Sequence, residues 1–169
     1  EYSNKNLVKF YQMFLKKLNN NESFKLTNNS NYIGSYYPRL NQNENGFLDW
    51  SLKDLELINM INSFEEPYCG VTTFLNRNNN KVHLKNVQLH GGELTNHPYM
   101  AGIVIRHDKN WIVVSTAGKN CLIIEKVIDK NKKNILSKIK EGDRFFTPNS
   151  LLEKNFNKRV FYNSKGLKK

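Results

Sequence analysis

At the start of the chain, hydrophobic residues recur at intervals of three and four. Leu7, Phe10, Phe14 and Leu18 fall on one face of a helix while Lys5, Lys9, Lys16 and Lys17 lie mostly on others, which predicts an amphipathic helix over Lys5 to Leu18. From Asn19 to Asn31 the chain is rich in Asn and Ser, whose short side chains bond the nearby backbone, and it reads as a mobile connector that ends the helix. Tyr32 to Trp50, broken by Gly34, Pro38 and Gly46, is too irregular for one element and too aromatic for a flexible linker; an ordered, packed excursion is expected. Helical spacing returns after Ser51, which with Asp54 three places on has the form of a helix start. Leu52, Leu55, Ile58, Ile61 and Phe64 then make one stripe down to Glu65, and Pro67 stops it.

Beyond Pro67 the period shortens. Val71 to Leu75, Lys81 to Leu89, Ala101 to Arg106, Trp111 to Ser115 and Cys121 to Ile128 are short runs rich in β-branched and aromatic residues, separated by turn clusters at Asn76 to Asn80, Gly91 to Pro98, His107 to Asn110 and Ala117 to Asn120. Val82 with Leu84, and Ile103 with Ile105, alternate as half-buried strands do. A last short strand within Arg144 to Thr147 and a one- or two-turn helix over Ser150 to Asn155 complete the pattern. Strands at this spacing favour a small antiparallel barrel or sandwich over alternating βαβ units. The expected class is α+β, with a helical connector over residues 1–65 and a small antiparallel β-barrel over residues 66–169.

Composition bounds the rest. At 169 residues with 38% hydrophobic positions the chain can bury a core, and a mean hydropathy of -0.66 makes it a globular protein with much solvated surface. It has no apolar run near the ~18 residues of a bilayer span and no signal-peptide pattern, and two cysteines make neither a disulfide framework nor a metal motif, so reduced thiols in a cytoplasmic protein are expected. The formal net charge is +11, and residues 126–169 hold 13 basic residues against four acids, leaving only +2 for the rest. A basic end can collect phosphate, although a Lys- and Asn-rich composition also follows from an AT-rich genome without selection for binding.

Few residues assemble into a recognisable catalytic kit. His83, His90, His97 and His107 lack the spacing that brings two imidazoles onto one metal ion, and no metal is expected. Cys69 precedes a glycine at a strand entrance and Cys121 lies in a core-like run; both read as structural thiols. Gly91-Gly92 lacks the spacing of a phosphate-binding loop. Asp49 before the second helix and the pair Asp143-Arg144 fit structural acids better than catalytic ones. The densest aromatic and basic cluster is Tyr32, Tyr36, Tyr37, Arg39, Phe47 and Trp50, which can stack a base or sugar ring while Arg39 pairs a phosphate, or can equally be a packed linker.

In order, YYPRL (36–40), LDW (48–50), a helix ending in INSF (61–64), EPYCGVTTFL (66–75), AGIVI (101–105), STAGKNCLIIEKV (115–127) and EGDRFFTP (141–148) resemble the C-terminal part of the formyltransferases that use 10-formyltetrahydrofolate. The resemblance runs from Tyr36 to Pro148. Each motif alone is weak, and the shared order and spacing carry it. Cys69 stands where that family usually has Pro, Val71 where it has Ala, and Ala101 often where it has Pro, changes that reshape a turn and leave the framework.

The resemblance implies an OB-like barrel. It also implies that the catalytic Asn, His and Asp lie in an N-terminal domain that binds 10-formyltetrahydrofolate, where an amine attacks the formyl group with help from a base and from hydrogen bonds to the oxyanion. Those motifs are absent here, and the first residue is Glu, so the chain is expected to be a C-terminal portion that by itself transfers no formyl group and has no catalytic residue. Its expected partners are the catalytic domain and a nucleotide-linked amino sugar, which YYPRL, HP (97–98) and GDRFFTP favour, met by Tyr36, Tyr37, Arg39, Asp49 and Trp50. The alternatives are a tRNA-binding domain of a methionyl-tRNA formyltransferase, a stand-alone RNA-binding barrel, or a dimerisation domain that pairs two copies; no membrane partner is expected.

Overall fold

The computed structural model describes residues 2–25, 41–75, 80–91, 96–158, 161–163 and 166–168. It divides into two compact units, residues 1–37 and 38–169. In the first unit the expected helix forms as α1, Tyr2–Asn19. Its apolar side is exposed, with Phe10 75%, Phe14 46% and Leu18 47% open to solvent, and the Phe14 ring meets Phe24 at 5.3 Å.

The second unit is an antiparallel sheet with a helix on it. Its elements begin with α2 (Gln42–Asn45), α3 (Asp54–Ser63), β1 (Val71–Leu75) and β2 (Asn80–Gly91). After a 3-10 turn come β3 (Val104–His107), β4 (Ile112–Ser115) and β5 (Asn120–Asp129), then a second 3-10 turn, β6 (Phe145–Phe146) and α4 (Asn149–Phe156). The short pair β7 (Phe161–Asn163) and β8 (Gly166–Lys168) forms its own two-stranded sheet. The helix and strand runs expected from the sequence are thus present, with ends shifted by a few residues, and the architecture is α+β with a curled antiparallel sheet. The turn expected at Asn76 to Asn80 lies almost wholly outside the described residues.

Strand order in the large sheet is β3-β4-β5-β2-β1-β6. The sheet curls until its two edges meet. The Val104 amide donates to the Asp143 carbonyl, Gly142 N–H to the Val104 carbonyl and Phe145 N–H to the Gly102 carbonyl, each at 2.8 Å, around a bridge between Ile103 and Arg144. Bonding the edges to each other here pairs backbone that an open sheet would present to solvent or to another chain.

The core lies inside this curl. Val82 and Leu84 of β2 and Val127 of β5 are buried, and so, past a switch of face, are Val87, Ile124 and Leu122. The switch occurs at Asn86, which has a φ of 52° and drops out of the β2–β5 ladder between the pairs Lys85–Lys126 and Val87–Ile124; Asn tolerates this left-handed conformation better than most residues. The Asn86 amide donates instead to Glu65 at 2.7 Å.

Helix α3 closes one side. Leu57, Ile61 and Phe64 face the core, Ile58 packs at its margin and Leu55 is 61% exposed, so the buried stripe is turned from the one expected through Leu52, Leu55 and Ile58. The helix also starts later than Ser51. Ser51 donates its amide and its hydroxyl to the Asp49 carboxylate in a turn of its own, and Lys53 takes the cap position, its amide bonded to Glu56.

Gly102 permits the edges to meet. Its φ is 81°, and a β-carbon there would lie 2.1 Å from the Phe145 carbonyl oxygen, whereas at Gly142, φ 83°, a β-carbon would meet nothing within 4 Å. Gly102→Ala should therefore lose about 2–4 kcal/mol of unfolding free energy and Gly142→Ala only about 1 kcal/mol, the backbone part alone. Urea unfolding of the two variants checks this; equal losses would mean that the Phe145 carbonyl does not constrain the closure.

Candidate functional site

The segment 41–50 leads into α3 and is tied to the sheet by backbone and side chain. Asn41 caps α2, and Gln42 reaches across to donate to the Gly70 carbonyl at 2.8 Å. Residues 46–48 then run parallel to the start of β1, with Thr72 N–H bonded to the Gly46 carbonyl and Leu48 N–H to the Thr72 carbonyl. Phe47 stacks on Phe74 at 6.4 Å, and the Lys81 ammonium stands 5.6 Å over the Phe47 ring.

Of the residues singled out for binding, Tyr36, Tyr37 and Arg39 lie outside the described residues, as does Tyr32. Asp49 is half-buried, and one of its carboxylate oxygens is occupied by Ser51. Trp50 is 7% exposed, stacks on Phe145 at 6.0 Å and donates its indole N–H to the Thr73 hydroxyl at 2.9 Å. Thr73 in turn donates to the Phe146 carbonyl, so Trp50 joins the connector to β1 and β6 at once.

Asp54 makes a second tie that residue spacing gave no sign of. Its carboxylate accepts the Asn120 backbone amide at 3.1 Å and the Asn120 side-chain amide at 2.5 Å, fastening the start of α3 to the turn before β5. A β-carbon at Gly118 would sit 2.9 Å from that carboxylate, so the turn's glycine makes room for the acid.

The remaining candidates are scattered. The His83 Nδ1 lies 3.2 Å from the Thr72 hydroxyl. Burial, reinforced by the Lys81 charge and opposed by a bond to the Gly70 backbone, holds its pKa below the ordinary imidazole value, so the ring is neutral at pH 7. The His97 Nδ1 accepts from Tyr99 N–H and starts a 3-10 turn, His90 is exposed, and the His107 amide donates to Glu141. Among the described residues no three His, Cys, Asp or Glu side chains come together as metal ligands, and no helix is long and apolar enough to cross a membrane. Cys69 and Cys121 are free thiols, the latter accepting from the Asn96 side chain. Asp143 accepts the Lys140 amide in the turn before β6, while Arg144 donates to the Tyr99 carbonyl and covers that ring at 4.8 Å. Gly91 has a φ of 80°, as expected of a loop needing unusual backbone angles, and Gly92 lies outside the described residues.

Burial pushes the Asp54 carboxyl up, but the bonds from Asn120 and from the Leu55 amide outweigh it and leave the pKa below the ordinary value. A carboxylate lowered in the folded state adds stability above its unfolded value, about 3.9, and loses it as pH falls through the lower folded value. The melting-temperature gap between the parent and Asp54→Asn should accordingly be widest at pH 5–7 and narrow below about pH 4. A gap that stays constant from pH 7 to pH 3 would show that the charge is not what Asn120 recognises.

Comparison with known proteins adds identity to this geometry. The family model of the formyl transferase C-terminal domain matches residues 41–141, more than half of the chain, from the cap of α2 to the turn before β6. No curated protein matches it. The matched stretch contains α3, β1 to β5 and the Asp54–Asn120 tie, and on that evidence the chain belongs to the formyl transferase C-terminal domain family.

Proposed function

We propose that this chain is the acceptor-presenting C-terminal portion of a cytoplasmic formyltransferase, working beside an N-terminal catalytic domain that transfers the formyl group of 10-formyltetrahydrofolate to the amine of a nucleotide-linked amino sugar. The observation that carries the reading is the family match over residues 41–141. The sugar branch is supported by YYPRL, the His97-Pro98 pair and GDRFFTP in the sequence. In this reading the curled sheet is an OB-like barrel, and the segment bearing Tyr36, Tyr37, Arg39, Asp49 and Trp50 meets the acceptor, Trp50 by anchoring the connector to the sheet. Pairing of two copies belongs to the same proposal.

The folate supplies the activated one-carbon group when bound. No step of the transfer is assigned to the described residues of this chain: the neutral His83 ring is bonded with Thr72, and Asp129 holds the amides of Asn131 and Lys133.

A second reading, methionyl-tRNA as acceptor, draws on the surplus of cations in residues 126–169. The two acceptors separate by charge. A tRNA contact neutralising several phosphates loses about 0.7–0.9 decades of affinity per decade of salt for each, whereas a sugar nucleotide with two phosphates has a shallow dependence. The protein containing this chain with its catalytic domain should formylate a nucleotide-linked amino sugar in the presence of 10-formyltetrahydrofolate, and the chain alone should not. Arg39→Ala should raise the KM for the acceptor about tenfold while leaving that for the folate unchanged. Formylation of methionyl-tRNA with no turnover of amino sugars would transfer the assignment to the tRNA branch, and an unchanged acceptor KM would return the Tyr36 to Trp50 segment to packing alone.

A further inference from the structure

Facing outward from β2 and β5, away from the core, is a groove of ≈ 410 Å³, within the range of about 300–1,000 Å³ that small-molecule sites occupy. Its floor is made by His83 and Lys85 of β2 and by Ile128 and Lys126 of β5. The register sets Lys85 directly opposite Lys126, and His83 opposite Ile128. Two like charges at directly opposed positions repel, and nothing in the packing of a sheet calls for them. The Lys85 side chain is only 15% exposed, so its ammonium has little water to lean on. It donates to Glu66 at 2.5 Å and to the Tyr68 carbonyl at 3.1 Å; the Glu66 carboxylate, itself part of the lining, also feels the Lys126 charge.

Two braced segments supply the rest of the lining. On one side Tyr68 and Cys69 belong to the loop after α3, held by Tyr68 N–H on the Glu65 carbonyl and Gly70 N–H on the Phe64 carbonyl. On the other, Lys130 and Lys132 stand on the tight turn that follows β5. Asp129 fixes that turn by accepting the Asn131 and Lys133 amides at 2.8 and 2.9 Å, and Lys132 adopts a φ of 61° within it. Both amides fall on one oxygen, Oδ1, and they favour the charged form, so Asp129 keeps its negative charge in the lining. Among the described residues Lys126, Lys130 and Lys132 form no ion pair. Four ammonium groups, those of Lys85, Lys126, Lys130 and Lys132, thus outnumber the two carboxylates of Glu66 and Asp129 in a lining that also offers a tyrosine and an isoleucine, a combination suited to phosphate beside a flat ring.

We propose that this groove is a binding site for a nucleoside diphosphate, its phosphates between Lys126 and the Lys130–Lys132 turn and its base against Tyr68 and Ile128. A nucleoside diphosphate is also the carrier part of the acceptor proposed above, but the groove uses none of the residues assigned there, so the groove variants of this chain test it separately from Arg39→Ala in the protein with its catalytic domain. A continuous nucleic-acid strand is the less suited occupant, because the lysines of this groove are interspersed with the carboxylates of Glu66 and Asp129.

Calorimetric titration of the chain with uridine diphosphate, pyrophosphate and uridine at low salt tests the proposal. Uridine diphosphate should bind saturably and at least tenfold more tightly than either fragment. The double variant Lys126→Ala/Lys130→Ala should weaken it about tenfold or more, and Tyr68→Ala should weaken uridine diphosphate while leaving pyrophosphate unchanged. Lys154→Ala on α4 should change nothing, and thermal melts of all variants report whether the fold is kept. A second readout in the same titration is the movement of the amide resonances of Lys130 to Lys133. Absence of saturable binding, equal affinity in the groove variants, or binding of an RNA oligonucleotide through these lysines without binding of uridine diphosphate would each overturn it.

Discussion

The Phe145 carbonyl oxygen occupies the space that a side chain at residue 102 would need, and the curl of the sheet depends on that close approach. With no β-carbon there, the Phe145 amide reaches the Gly102 carbonyl, and the two edges of the sheet bond to each other. The Phe145 side chain is then driven fully into the core, where the Trp50 ring stacks on it. Trp50 spends its one polar group on Thr73, and Thr73 spends its hydroxyl proton on Phe146. Backbone approach, aromatic stacking and a chain of hydrogen bonds therefore meet at one junction, and a buried indole with its N–H satisfied adds area without the penalty of an unpaired donor.

Three motifs that are far apart in sequence converge there: AGIVI contributes Gly102, EGDRFFTP contributes Phe145 and Phe146, and LDW contributes Trp50. Their resemblance to formyltransferase segments and their position in the fold express the same constraint. A glycine, a buried phenylalanine and an anchoring tryptophan are the residue types that such a closure demands, so they are readable as motifs even where neighbouring positions differ. Asp54 and Asn120 also pin α3 to the sheet, and with both ties in place the connector from Asn41 to Trp50 has little freedom to leave it.

Local periodicity made the elements legible: α1, α3 and the strand runs all follow from apolar spacing. What it could not supply was register. The stripe of α3 was misjudged because Leu55 and Leu57 are equally apolar, and only the packing against β2 and β5 decides that Leu57 turns inward. Ser51 resembled a helix cap, but Asp49 captured it first in a turn of its own. Lys126 counted as part of a basic tail until the pairing with β2 set it across from Lys85. Much of that charge, up to Lys158, proves to sit on β5, the turn after it and α4. The aromatic cluster split in the same way: Phe47 and Trp50 are committed to the sheet, a fact about β1 and β6 that their own neighbours in sequence do not encode.

Amide hydrogen exchange at the junction measures the central claim most directly. If the closure belongs to the cooperative core, the amides of Val104, Gly142 and Phe145 exchange only through global unfolding, with the same free energy as Leu84 in the middle of β2. Exchange of those three amides at rates orders of magnitude faster than Leu84, through local opening, would contradict the account and leave the sheet an open curl whose edges merely touch.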